Sequence, residues 1–173
     1  MSRRTFRLLL STALGILLLA YVVLSSFARR PLNPSEFWIF AAAVLRATPA
    51  HLGSSNPLET LRLGGAALGA PAQTAALSTS DQTYTIPLPP RTVQVESPYP
   101  QVHRFITFAT PEERHQYLHS TLPQAGWRYR EQLGSMHALE GRDLLLSVQS
   151  TFYVGTRVGE LRISLQARPR RAA

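Results

Sequence analysis

"TPEERHQYLHSTLPQAGWRY", residues 110–129, holds a helix start, a helix stop and the opening of a strand. Thr110 can accept a hydrogen bond from the first turn. Pro111 suits the first helical position, where its missing N–H costs nothing. Glu113 stands three residues past Thr110, the spacing of a capping box. Glu112 and Glu113 place negative charge at the positive end of the helix dipole. Leu118 and Leu122 are four apart, so they share a face that can pack on a sheet. Pro123 and Gly126 are expected to end the helix, and Trp127 and Tyr129 alternate into the next strand.

The flanking sequence agrees with this reading. "QVHRFITFA", residues 101–109, has the aromatic and branched composition of a strand. Gly134-Ser135 turns the chain to "MHALE", and Glu140-Gly141-Arg142-Asp143 turns it again. Leu144, Leu146 and Val148 alternate with Leu145, Ser147 and Gln149. After a bend near Gly155 or at Gly159, Leu161, Ile163 and Leu165 form a last strand. The order from Ser97 to Ala167 is strand, helix, then three or four strands with tight turns, which implies antiparallel pairing. The expected fold class is α+β, a two-layer sandwich of one helix on an antiparallel sheet. The pattern Thr110, Pro111, Glu112, Glu113, Tyr117, Leu118, Leu122, Gly126, Trp127 resembles small uncharacterised domains of bacterial envelope proteins and lipoproteins. That resemblance implies an extracytoplasmic α+β module and brings no catalytic residues. The chain departs from the lipoprotein members in having no cysteine to lipidate.

The N-terminal end reads differently. "MSRRTFRLLLSTALGILLLAYVVLSSFARR" has a basic start, then 21 uncharged residues from Leu8 to Ala28. A helix of that length spans a hydrocarbon core of roughly 30 Å. Ser26-Phe27-Ala28 loosely fits a signal cleavage site, but the long apolar run and the Arg29-Arg30 pair favour an uncleaved anchor. Arg3, Arg4 and Arg7 before the span outnumber Arg29 and Arg30 after it. The positive-inside rule then puts the N-terminus in the cytoplasm and residues 31–173 outside, as in a single-pass protein of the cytoplasmic membrane.

Residues 31–80 are expected to form a short helix and an Ala/Gly/Pro-rich linker. "PLNPSEFWIFAAAVLRATP" is a second helical candidate, with a start at Pro34 and Ser35 and Pro49 to close it. It is apolar nearly all round and too short to span, so it either packs as a buried helix or lies at the membrane surface with Trp38 at headgroup level. "NPLETLRLGGAALG" can form a helix with Asn56 as cap and Pro57 at the first position. Otherwise residues 50–80 have the composition of a tether. "TYTI" and "TVQV" have strand character, but Pro87, Pro89 and Pro90 between them argue against continuous pairing. The α+β domain is expected over 81–167 and a basic tail over 168–173.

Charge excludes one function class. The chain has 18 arginines, no lysine, 10 acidic residues and a net charge of +8. Eight of the arginines flank the apolar run or lie in the tail, so the body is neutral. A nucleic-acid binder carries its positive charge on the fold. The absence of cysteine removes disulfides, thiolate zinc sites and cysteine nucleophiles. Glu112, His115 and His119 fall on one helix face and form a metal-ligand candidate, with His103 and His137 as further donors. A polar helix face explains the same residues. Ser135 and His137 lack the elbow of a serine nucleophile, and Gly134-Ser135 reads as a turn. Trp127 and Tyr129, with Phe152 and Tyr153, are binding candidates or core aromatics. No catalytic residue or cofactor is assigned. The expected function is a membrane-anchored accessory that uses residues 8–28 as anchor and binds or scaffolds an envelope protein partner. A small-ligand or cell-wall sensor is the alternative, and a metal-dependent hydrolase is the third reading.

Overall fold

The computed structural model describes residues 3–46, 56–79, 82–141, 144–152 and 159–167. Helices α1 (Arg3–Ala28), α2 (Pro34–Arg46) and α3 (Pro57–Gly69) come first. Strands β1 (Gln73–Ser78), β2 (Thr83–Leu88), β3 (Thr92–Val95) and β4 (Val102–Thr107) follow. Next come α4 (Pro111–Gln116), a π-helical turn (Tyr117–Thr121) and α5 (Leu122–Gln124). Strands β5 (Arg128–Leu133), β6 (Met136–Glu140), β7 (Leu144–Phe152) and β8 (Gly159–Ala167) complete the order. The fold is α+β, with a long apolar N-terminal helix followed by antiparallel sheets and helices. The bend expected near Gly155 and the tail at 168–173 lie outside the described residues.

Six strands form one antiparallel sheet in the order β3-β4-β8-β7-β6-β5, and β1 and β2 form a separate antiparallel pair. Pro89 and Pro90 lie where the chain leaves one sheet for the other, whereas Pro87 stands inside β2, opposite Thr74. A single register sets the core of the larger sheet. Phe105 lies opposite Leu161, Ile163 opposite Val148, and Leu146 opposite Leu139. Directly paired residues share a face, so these six side chains make one buried band. Tyr117, Leu118, Leu122 and Trp127 cover it from the helix side. Leu77, Ile86 and Leu88 of the β1–β2 pair complete this core.

Three helices begin with the same chemistry. Asn33-Pro34-Ser35-Glu36, Asn56-Pro57-Leu58-Glu59 and Thr110-Pro111-Glu112-Glu113 each run cap, proline, any residue, glutamate. Asn33 Oδ1 accepts from the Glu36 N–H at 2.9 Å, and a Glu36 carboxylate oxygen accepts from the Asn33 N–H at 3.0 Å. Thr110 and Glu113 make the same reciprocal pair. Each glutamate also meets an arginine: Arg30, Arg62 and Arg91 in turn. α2 thus starts at the expected Pro34, and only its cap, Asn33, goes beyond the expectation.

Pro123 does not stop its helix. A proline inside a helix lacks an N–H and crowds the carbonyl four residues back. The chain answers with the π-helical turn just before it, where the Leu122 N–H reaches Tyr117 O. The end comes at Gly126, whose φ of 92° a side chain would resist. The Trp127 N–H donates to Leu122 O and the Gly126 N–H to Pro123 O, a Schellman closure.

The helix that "NPLETLRLGGAALG" offered forms as α3, and instead of hanging in a tether it packs on α1, while β1 also falls within the stretch read as a linker. A Cβ on Gly65 would lie 2.7 Å from Phe27 Cβ and 2.9 Å from Leu24 O. One on Gly69 would collide with the backbone of Ala28. Small residues at this four-residue spacing let two helices approach backbone to backbone. Leu24, Ala28, Phe37, Phe40, Leu63, Ala67 and Leu68 form a second core, shared with Val95 and Ile106 of the sheet and with Phe108. The helices thus cover part of the sheet face opposite α4. Gly69→Val should cost about 1–3 kcal/mol, because the clashing atoms are backbone and cannot swing away. Thermal unfolding in detergent should show a melting point lower by several degrees.

Candidate functional site

The helix histidines form part of a ladder of rings. His115 and His119 lie with ring centroids 4.4 Å apart and planes tilted by 41°. His119 meets Tyr129 at 4.9 Å, and Tyr129 meets His137 at 6.0 Å. The Tyr129 hydroxyl and His137 Nδ1 lie 3.2 Å apart. Burial, with the nearby His119 second, lowers the His137 pKa. Among the described residues no three His, Asp or Glu side chains, Glu112 included, come together as a metal-ligand set. His103 is on β4 opposite Ile163, and burial lowers its pKa. Ser135 lies in the tight turn between β5 and β6.

The two aromatic candidates separate. Trp127 is buried in the sheet–helix core, its ring against Gly141, where a Cβ would lie 3.0 Å from the ring. Tyr129 is half-buried within the ladder. The side chains of Phe152 and Tyr153 lie outside the described residues.

A more open arrangement lies on the sheet face that α4 and α5 leave uncovered. Beside the strip held by α1–α3, a cleft of about 540 Å³ is lined by residues including Tyr99, Arg104, Met136, Gln149, Arg162 and Ser164. The register explains it. Arg104 lies opposite Arg162, Arg162 opposite Gln149, and Gln149 opposite Met136, a row across four strands that is polar on β4, β8 and β7 and ends on Met136 of β6. Ser147 and Ser164 form part of a parallel row. Two like charges directly opposite would repel. Glu160 resolves this from the same face: one carboxylate oxygen accepts from Arg104 Nε and from Arg162 Nε, both at 2.7 Å. Burial pushes the Glu160 pKa up, but the bonds from the two arginines outweigh it and hold the group below its ordinary value.

The cleft lining contains two arginines and no carboxylate. Its volume suits a small ligand or a short extended segment. None of its residues was singled out as a site from the sequence. The available signal was the polar alternate of each central strand: Ser147 and Gln149 on β7, Arg162, Ser164 and Gln166 on β8.

At the other end of the molecule, Thr5–Ala28 is long and apolar enough to cross a membrane. That is compatible with a transmembrane or signal-anchor segment. No protein-family model, curated protein or solved structure matches the chain.

A carboxyl with a depressed folded-state pKa stabilises the fold above its unfolded pKa, and this contribution is lost as pH falls through the folded value. Glu160→Gln should therefore lower stability by on the order of 2 kcal/mol at neutral pH, since it weakens two charged hydrogen bonds. The gap to the parent protein should narrow below about pH 4. Denaturant unfolding of both proteins across pH 3 to 8 checks this.

Proposed function

We propose that this protein is a single-pass membrane accessory whose α+β domain lies outside the cytoplasm and binds or scaffolds a protein partner through the open sheet face. The observation that carries the reading is the combination of an apolar span with an uncovered polar cleft on one connected fold. The second core ties the span to the sheet, so a partner held in the cleft is held at the membrane. The charge flanking α1 supports a cytoplasmic N-terminus. The likeness of residues 97–167 to small bacterial envelope domains supports the extracytoplasmic placement. The cytoplasmic membrane is the site this reading assigns.

A second reading rests on the size of the cleft, about 540 Å³, which fits a small soluble ligand as well as a peptide segment. The cleft would then serve as a sensor site, with Arg104 and Arg162 favouring an anionic group.

A photo-crosslinking amino acid at Tyr99 or Gln149 of full-length protein in its membrane should give discrete protein adducts. The same probe at Leu133, exposed on edge strand β5, should not. Absence of adducts from the cleft, or the same pattern from Leu133, would contradict partner binding there. A thermal shift with a soluble anionic compound and no protein adduct would favour the sensor.

A further inference from the structure

We infer that α2 and the N-terminal half of α3 lie in the headgroup layer beside α1, so that the domain rests on the bilayer surface. The inference rests on the membrane reading of α1 and adds a lipid-facing surface to it.

The length of α1 sets the level. Its large exposed apolar side chains run from Phe6 to Val22. That stretch covers about 25 Å at 1.5 Å per residue, slightly less than a hydrocarbon core of roughly 30 Å. From Ala20 onward protein covers one side of the helix: Ala20 and Tyr21 pack against the second core, and Leu24 and Ala28 are buried in it. The upper boundary of the bilayer therefore falls where the protein begins.

Aromatic residues gather at that level. The Tyr21 hydroxyl donates to Leu32 O at 2.6 Å, which folds the chain after α1 back along it. The Tyr21 ring meets Phe37 at 5.7 Å, and Phe37 meets Trp38 at 5.6 Å. Phe37 is buried, whereas Trp38 is 58% exposed. An exposed tryptophan beside the end of an apolar span is the pattern of an interfacial belt.

α3 brings a second group to the same level. Gly69 lies against Ala28, and Gly65 against Leu24 and Phe27. α3 therefore runs in the same sense as α1, and its first turn points back toward the span. That turn carries Leu58, 64% exposed, and Glu59, which pairs with Arg62 in the next turn. An apolar side chain flanked by a solvated ion pair suits the boundary between acyl chains and headgroups. Trp38 and Leu58 thus present apolar surface from two helices near the end of one span.

The chain has no cysteine, so single labels can be placed without removing a native thiol. Leu14→Cys, Trp38→Cys, Leu58→Cys and Tyr99→Cys each replace an exposed residue. Each full-length variant would carry a nitroxide and be reconstituted in vesicles of phosphatidylethanolamine and phosphatidylglycerol. Relative accessibility to oxygen and to a water-soluble nickel chelate then reports depth. Position 14 should read as deep hydrocarbon and position 99 as water. Positions 38 and 58 should fall between them, at headgroup level. If 38 and 58 match 99, or are shielded from both reagents as a protein contact would shield them, the inference is overturned and the anchor stands. If position 14 also reads as water, the anchor fails and the inference with it.

Discussion

The fold depends on the contact between Gly65 and Gly69 of α3 and the last turns of α1. Side chains at these positions would hold the helices apart. The core that Leu24, Ala28, Phe40, Leu63, Ala67 and Leu68 share with the sheet would then open. Because the contact is backbone to backbone, the apolar N-terminal helix and the sheet belong to one packed body. A tethered domain would sample many heights and orientations above a membrane. Here the cleft is held at a position relative to α1 that packing fixes.

Charge reinforces the same junction. Arg30 forks onto Glu36 at 2.7 and 2.9 Å and also reaches Leu68 O at the end of α3. One side chain thus holds the exit of α1, the start of α2 and the end of α3. Arg91 plays the corresponding part on the sheet side. Its backbone, at a φ of 56°, donates to Ala70 O and accepts from the Phe108 N–H, while its guanidinium pairs with Glu113. The cap of α4 is thereby linked to the end of α3. Each arginine pairs with a glutamate that also serves a capping box, so helix starts and inter-element contacts use the same carboxylates.

Much of the sheet–helix half is legible in the sequence because its signals are local. Thr110 and Glu113 cap as their spacing predicts, and Gly126 ends the helix. Leu144, Leu146 and Val148 face inward as their alternation requires. Asn56 caps α3 by the same rule. The parts that were not legible depend on distant partners. The helix over "NPLETLRLGGAALG" is legible but its packing is not, since only the approach of α1 makes its small side chains a contact surface. Trp127 offers an aromatic face that could bind or fill a core, and Gly141, just after β6, leaves room for the ring inside the core. The cleft needs residues from four strands in register, which no single segment reveals. The π-helical turn is the fold's response to Pro123, a residue that by local rules ends a helix.

The central claim is that α3 is a structural element of one cooperative body. Native-state hydrogen exchange of the full-length protein in nanodiscs tests it most directly. Amides from Leu61 to Leu68 should exchange with the same opening free energy as those of β4 and β8, because α3 opens only when the shared core opens. Exchange of α3 at the rate of an unprotected segment, while β4 and β8 stay protected, would contradict the account.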